Sequence, residues 1–200
     1  MKKFSLVLLA FVGMISFTSV KAQTAAPKKK SAKKAASAPK APAPVAVPLP
    51  AVGLEIGDLA PDIVLQTPEG KNLALSSLHG KLVLIDFWAS WCRPCRMENP
   101  NVLAAYKKYK DAKYEKAKGF TIFSVSLDRD KQSWIDAIAV DKLEWTNHVS
   151  DLKWWNSEAA QKYGVQSIPT NWLLDERGVI IAKNLRSILL DNELESLVKK

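Results

Sequence analysis

The sequence predicts one α/β domain behind a basic N-terminal segment, and three observations predict it. Two nearly continuous apolar runs, "KLVLIDFW" (81–88) and "FTIFSVSL" (120–127), have the composition of strands buried on both faces. Stretches with helical spacing alternate with them, which is the pattern of helices packed on a sheet. The chain's only two cysteines, Cys92 and Cys95, stand where the first run gives way to a helix, in "WASWCRPC".

The N-terminal quarter is a different material. Of the 200 residues, 1–52 hold nine lysines and no acid, so the formal charge of +9 belongs to this part and the rest is neutral. Such a charge describes a tail and not a nucleic-acid-binding domain surface. Residues 1–22 read as a secretory signal: Lys2 and Lys3, an uncharged run from Phe4, then Val20-Lys21-Ala22 before Gln23. The competing reading is an uncleaved anchor, for which the 17 residues from Phe4 to Val20 are at the short edge of a span. No cysteine lies near the cleavage region to carry a lipid. Residues 23–52, with ten alanines, six lysines and six prolines, have nothing aromatic to nucleate a core and read as a disordered linker. Weak contact of its lysines with an anionic membrane or envelope polymer is the sharper alternative to a plain spacer.

From Gly53 to Lys200 the patterning is that of a folded domain, and all seven tryptophans fall here. "DIVLQ" and "KNLAL" around "TPEG" predict a hairpin. After the first core strand, Arg93 to Lys118 reads as a helix with a kink at Pro100. "KQSWIDAIAV" (131–140) has helical spacing, whereas 142–155 has no clear period. Ser157 to Tyr163 predicts a short helix stopped by Gly164. "TNWLLD" and "VIIAKN" around "ERG" predict a second hairpin, and "DNELESLVKK" a closing helix capped by Asp191 or Asn192.

Two cysteines two residues apart could be a staple, half a metal site or a redox pair. A zinc site needs four ligands, and no second pair is present, while His79 and His148 lie in unrelated segments. A staple closing so short a loop removes little chain entropy. Exchange chemistry suits the placement. Cys92, between a buried strand and a helix, would have its thiolate stabilised by unpaired amides and the dipole. Arg93 adds positive charge, Pro94 fits the first turn, and Cys95 one turn on would be more protected and resolve a mixed disulfide.

"VLIDFWASWCRPC" followed by "SIPT" resembles the thioredoxin superfamily, and "FWASWCRPCRMENP" resembles its exported TlpA/ResA-like branch. The resemblance covers 53–200. It implies a thioredoxin fold, a central mixed β-sheet flanked by helices, with an N-terminal β-hairpin and an insert between the CxxC helix and the cis-proline. By position, it makes Cys92 the nucleophile and Cys95 the resolving thiol. Pro169 becomes the cis-proline facing them, with Ile168 beside it pairing an extended substrate, and Trp91 the flanking tryptophan. Asp86 matches the buried aspartate behind the cysteines, where burial would raise its pKa and let it take the Cys95 proton. Glu98 matches the glutamate that lines the cavity in the TlpA/ResA-like branch. Carrying both carboxylates leaves open which one moves the proton.

The resemblance implies no cofactor and no metal. It implies a periplasmic thiol–disulfide oxidoreductase that reduces disulfides of exported proteins, apocytochromes c among the possible clients, with electrons from a membrane thiol carrier. The alternatives are a disulfide-donating oxidase using the same residues, or a tethered binding module without turnover. Peroxidase chemistry fits less well, because the pair lacks the threonine-containing approach of peroxiredoxins. His79, His148, Trp88, Trp134, Trp145 and Trp172 read as packing or turn residues.

Overall fold

The computed structural model describes residues 50–200; the expected signal 1–22 and the linker up to residue 49 lie outside the described residues. In chain order the elements are β1 (Val64–Gln66), β2 (Asn72–Ala74), β3 (Leu82–Trp88), α1 (Arg93–Tyr109), β4 (Phe120–Ser126), α2 (Lys131–Val140), β5 (His148–Ser150), α3 (Glu158–Lys162), β6 (Thr170–Leu174), β7 (Ile180–Lys183) and α4 (Ile188–Leu197). Seven strands form one mixed sheet in the order β2-β1-β5-β4-β3-β6-β7. This is the thioredoxin fold with a hairpin and a further strand added at one edge.

The two apolar runs become the centre of the sheet. Every residue of β3 and β4 is buried, and the strands run parallel from Leu82–Phe120 to Trp88–Ser126. A parallel pair needs a crossover, and α1 supplies it. The expected insert is α2 with β5: β5 lies parallel to β4, and its far side takes β1 of the hairpin. On the other flank β6 runs antiparallel to β3 and β7 antiparallel to β6.

Contacts sort the helices onto two faces. α1 packs with α4, clamped by the Tyr109 hydroxyl, which donates toward Asp191 and Glu195. It meets the end of α2 through Lys107–Glu144 and through Asn99, whose amide donates to Asp141 at 2.6 Å. α3 covers the opposite face, where Tyr163 packs on Phe87 and Trp172 and its hydroxyl donates to the Pro61 carbonyl at 2.6 Å. Trp88, Trp134, Trp145 and Trp172 are all buried, and His148 stacks on Trp145 in the core.

Two helices differ from the sequence pattern. α1 stops at Tyr109 instead of Lys118, with Pro100 inside it. Beyond that point the Tyr114 hydroxyl takes the Tyr109 carbonyl, and the backbone there pairs with Val198 and Lys199, so a long-range contact ends the helix. α4 begins three residues early, at Ile188 with Ser187 as its cap residue, because Asp191 spends its carboxylate on Tyr109 and Lys108. The 142–155 stretch contains β5 and a single 3-10 turn, Trp154–Asn156, each too short to show a period.

Gly119 closes the loop into β4 at φ +111°, and a Cβ there would meet the Lys110 carbonyl oxygen at 2.5 Å. That oxygen also accepts the Phe120 N–H. Gly119→Ala is therefore expected to lose on the order of 2 kcal/mol in chemical denaturation. An unchanged midpoint would show that the loop reshapes freely.

Candidate active site

The site begins where β3 ends. The Trp88 carbonyl accepts the Leu127 N–H at 2.8 Å, closing the β3–β4 pairing, and the chain then has four residues, 89–92, in which to turn into α1. Ser90 holds that turn. Its N–H and hydroxyl both donate to the buried carboxylate of Asp128, the hydroxyl at 2.5 Å, and Asp128 also accepts from Ser126. From the other side Arg96 donates to the Ser90 carbonyl at 3.1 Å, and its guanidinium is paired with Asp141. The loop before the cysteines is thus held at both ends of one residue.

Cys92 is the N-cap of α1, in an extended conformation, and its sulfur accepts the Cys95 N–H at 3.2 Å. Pro94 occupies the first turn, where its missing donor costs no bond. Cys92 and Cys95 are joined in a disulfide. Both are buried, Cys92 at 5% exposure and Cys95 at 1%, so the sulfur expected to be exposed is only the less covered of the two in the oxidised form. Cys92 Sγ lies 3.7 Å from the carbonyl oxygen of Ile168, across the loop whose Ile168–Pro169 peptide is cis.

A four-residue strap, 184–187, fixes that loop. Asn171 donates to the Leu185 carbonyl at 2.7 Å and accepts the Leu185 N–H at 2.8 Å, while the Thr170 hydroxyl donates to Asn184. Arg186 donates to the carbonyl of Pro169 itself. Two strap residues, Asn184 and Ser187, have left-handed backbones at φ 56° and 47°, a conformation sparse for residues with a Cβ. Glu98 ties the strap to α1: it accepts the Ser187 N–H at 2.5 Å, the Ser187 hydroxyl at 3.1 Å and an amide hydrogen of Asn101.

Asp86 is in β3 opposite Asn171 of β6 and is 5% exposed. Its carboxyl is pushed up to about 7, chiefly by burial; the negative charge of Glu98 adds to the rise, and the positive charge of Arg186 opposes it. Trp91 is different in kind. It stands 48% exposed beside Cys92 and touches Trp154 and Trp155.

Of the sequence-predicted residues, the structure brings the cysteines to the Ile168–Pro169 loop, sets Trp91 beside them, and puts Asp86 within electrostatic reach of Glu98. Sequence reasoning missed Asp128, Arg96, Asp141, Asn171 and Arg186, which hold the two loops. Their partners lie up to 45 residues away along the chain, and no local spacing marks them.

The AhpC/TSA family model matches residues 56–183. The thioredoxin-like protein YneN of Bacillus subtilis is 39% identical over 130 residues, 64% of this chain and 71% of that one. The thiol-disulfide oxidoreductase ResA of Bacillus thuringiensis is 33% identical over 147 residues, covering 74% and 79%. Among solved structures, the thioredoxin domain of a thiol-disulfide oxidoreductase from Bacteroides vulgatus superposes with a TM-score of 0.65 at 37% identity, over 74% of this chain and all of that one. With this fold and a cysteine pair at the start of its crossover helix, the chain belongs to the AhpC/TSA family and is a thioredoxin-like thiol-disulfide oxidoreductase of the ResA type.

Proposed function

We propose that the protein is a periplasmic reductase of disulfides in exported proteins, exported by the signal at 1–22, with 23–52 as a linker and 53–200 as the catalytic domain. The observation that carries this reading is Cys92 Sγ at the N-terminus of α1, accepting a backbone N–H, with the Ile168 carbonyl at 3.7 Å and a buried carboxyl, Asp86, in the strand that leads to it. A helix N-terminus favours negative charge on that sulfur. In the reduced protein the Cys92 thiolate attacks one sulfur of the client disulfide, and the other client sulfur leaves as a thiolate. Cys95 then gives up its proton and attacks Cys92 Sγ, releasing the second client thiolate and leaving the Cys92–Cys95 disulfide. Two electrons pass to the client, and a membrane thiol carrier restores the dithiol.

Asp86 is the acceptor of the Cys95 proton. Glu98, already engaged by three donors, is a positioning residue that acts on Asp86 through its charge. Ile168 and Pro169 offer backbone to an extended client segment, and Trp91 flanks it.

The direction of flow is tested by equilibrating the pair against glutathione. A reductase is expected near the potential of thioredoxin, about −270 mV, and a value near the −120 mV of strong oxidants would reverse the assignment. Cys92→Ala is expected to abolish reduction of a protein disulfide with dithiothreitol as donor, and turnover surviving in that variant would sink the mechanism.

Asp86 makes a pH prediction. An acceptor must be ionised, so the resolving step quickens as pH rises through about 7, and Asp86→Asn removes that limb and slows the step roughly a hundredfold. Stability moves the other way. Between the ordinary carboxyl value of 3.8 and about 7 the folded protein keeps a proton that the unfolded chain has released. The resulting stability is present below pH 4 and declines toward pH 7, by on the order of 4 kcal/mol at most. Urea titrations of Asp86→Asn are expected to lose this slope; a wild-type slope in the variant would place the titration elsewhere.

A further inference from the structure

Around Trp91, which flanks the client in the reading above, stands a group of residues to which that reading gives no part. Trp91, Trp154 and Trp155 form a triangle with ring centroids 6.1 to 6.4 Å apart. The guanidinium of Arg129 sits 4.0 Å above the Trp154 ring. Trp91, Trp154 and Arg129 line a cleft of about 360 Å³ together with Asp128, Asp130 and Ser133. Trp154 and Trp155 are displayed by an unusual turn, in which Leu152 and Trp154 both have left-handed backbones at φ 56°. Large aromatic area half-open to solvent, held on a backbone sparse for residues with a Cβ, is the make-up of a protein-binding anchor.

The local donors and acceptors decide what binds there. Among the described residues, Arg129 is the one cation lining the cleft, and the carboxylates that line it with Arg129, Asp128 and Asp130, are each held by the protein's own donors. Asp130 caps α2 by accepting from the Ser133 N–H and hydroxyl, Asp128 accepts from Ser90 and Ser126, and Asp151 accepts from the Lys153 and Glu158 backbones. Lys153 is paired with Glu158 at 2.6 Å. Arg129 and Arg93 are both exposed, and among the described residues neither forms an ion pair. A guanidinium held over an indole without an ion-pair partner has N–H groups to offer a carboxylate.

We propose that Trp91, Trp154, Trp155 and Arg129 form a client-docking surface that selects disulfides flanked by an acidic and an aromatic residue. The proposal rests on the oxidoreductase reading and names the substrate class of that same site. The apolar neighbour of the reacting cysteine lies on the tryptophans, and its carboxylate neighbour meets Arg129 at the mouth of the cleft.

The test uses the full chain with dithiothreitol as recycling reductant, the uncatalysed rate subtracted, and three probes: a cyclic peptide disulfide carrying Glu-Phe beside one cysteine, the same peptide with Lys-Phe, and neutral hydroxyethyl disulfide. The Glu peptide is expected to be reduced roughly fivefold faster in kcat/KM than the Lys peptide at low salt, with the preference shrinking as salt rises. Arg129→Glu is expected to invert the Glu-to-Lys ratio. Trp154→Ala is expected to lower kcat/KM on both peptides relative to hydroxyethyl disulfide, through KM. Equal rates on the two wild-type peptides, or an unchanged ratio in Arg129→Glu, would overturn the proposal. Unchanged peptide kinetics in Trp154→Ala, with a dimer lost in sedimentation, would give the face to a second copy of the chain and also overturn it. Absence of turnover on hydroxyethyl disulfide would instead overturn the reductase reading beneath it.

Discussion

The meeting of a doubly buried strand with a helix N-terminus governs the rest of this molecule. β3 is apolar on both faces, so its end lies deep within the fold and delivers the chain to α1 with several backbone N–H groups lacking helical partners. One of them, from Cys95, is taken up by the sulfur of Cys92. The cap that starts the helix is therefore also one of the two sulfurs of the redox-active disulfide. The same unpaired amides that a helix start must satisfy are those that favour charge on a sulfur during exchange. Stability and chemistry draw on one feature.

What surrounds that junction is irregular backbone, and irregular backbone must be held if a site is to be exact in geometry. Here two loops are held by buried polar residues whose bonds are satisfied. Asp128 collects donors from Ser90 and Ser126, and Asn171 exchanges a pair of bonds with Leu185. Each network is costly to break, since a buried group left without its partner loses its bond and keeps its desolvation. The strap at 184–187 does double duty: Arg186 reaches the carbonyl of Pro169, and Ser187 reaches Glu98 on α1. Positions of the sulfurs and of the cis-proline loop are in this way tied to the same helix.

Asp86, Glu98 and Arg186 are electrostatically linked. Burial alone would keep Asp86 protonated; Glu98 pushes the same way, and Arg186 pushes back. The outcome near neutrality suits the proton-accepting role proposed for Asp86. It also means that the domain carries a carboxyl it would be more stable without, and the cost is concentrated where the chemistry is.

The sequence by itself determined the central strands, the helix after the cysteines, both hairpins and the place of the reactive pair. Each of these is written in local patterns: apolar runs, turn residues, and two cysteines at a strand-to-helix step. Asp86 was legible because a carboxylate inside "LVLIDFW" has no solvent to face. Tertiary structure alone decided where α1 ends and α4 begins, since Tyr114 and Asp191 answer to partners on other elements. It also decided what Glu98 touches, and that Trp154, Trp155 and Arg129 stand beside Cys92. Those residues are 37 or more positions from Cys92 in the chain, and the two tryptophans end a stretch whose elements are too short to show a period. Hydrogen bonds and ring contacts over such separations depend on the sheet having brought their strands together, and no repeat along the chain encodes them.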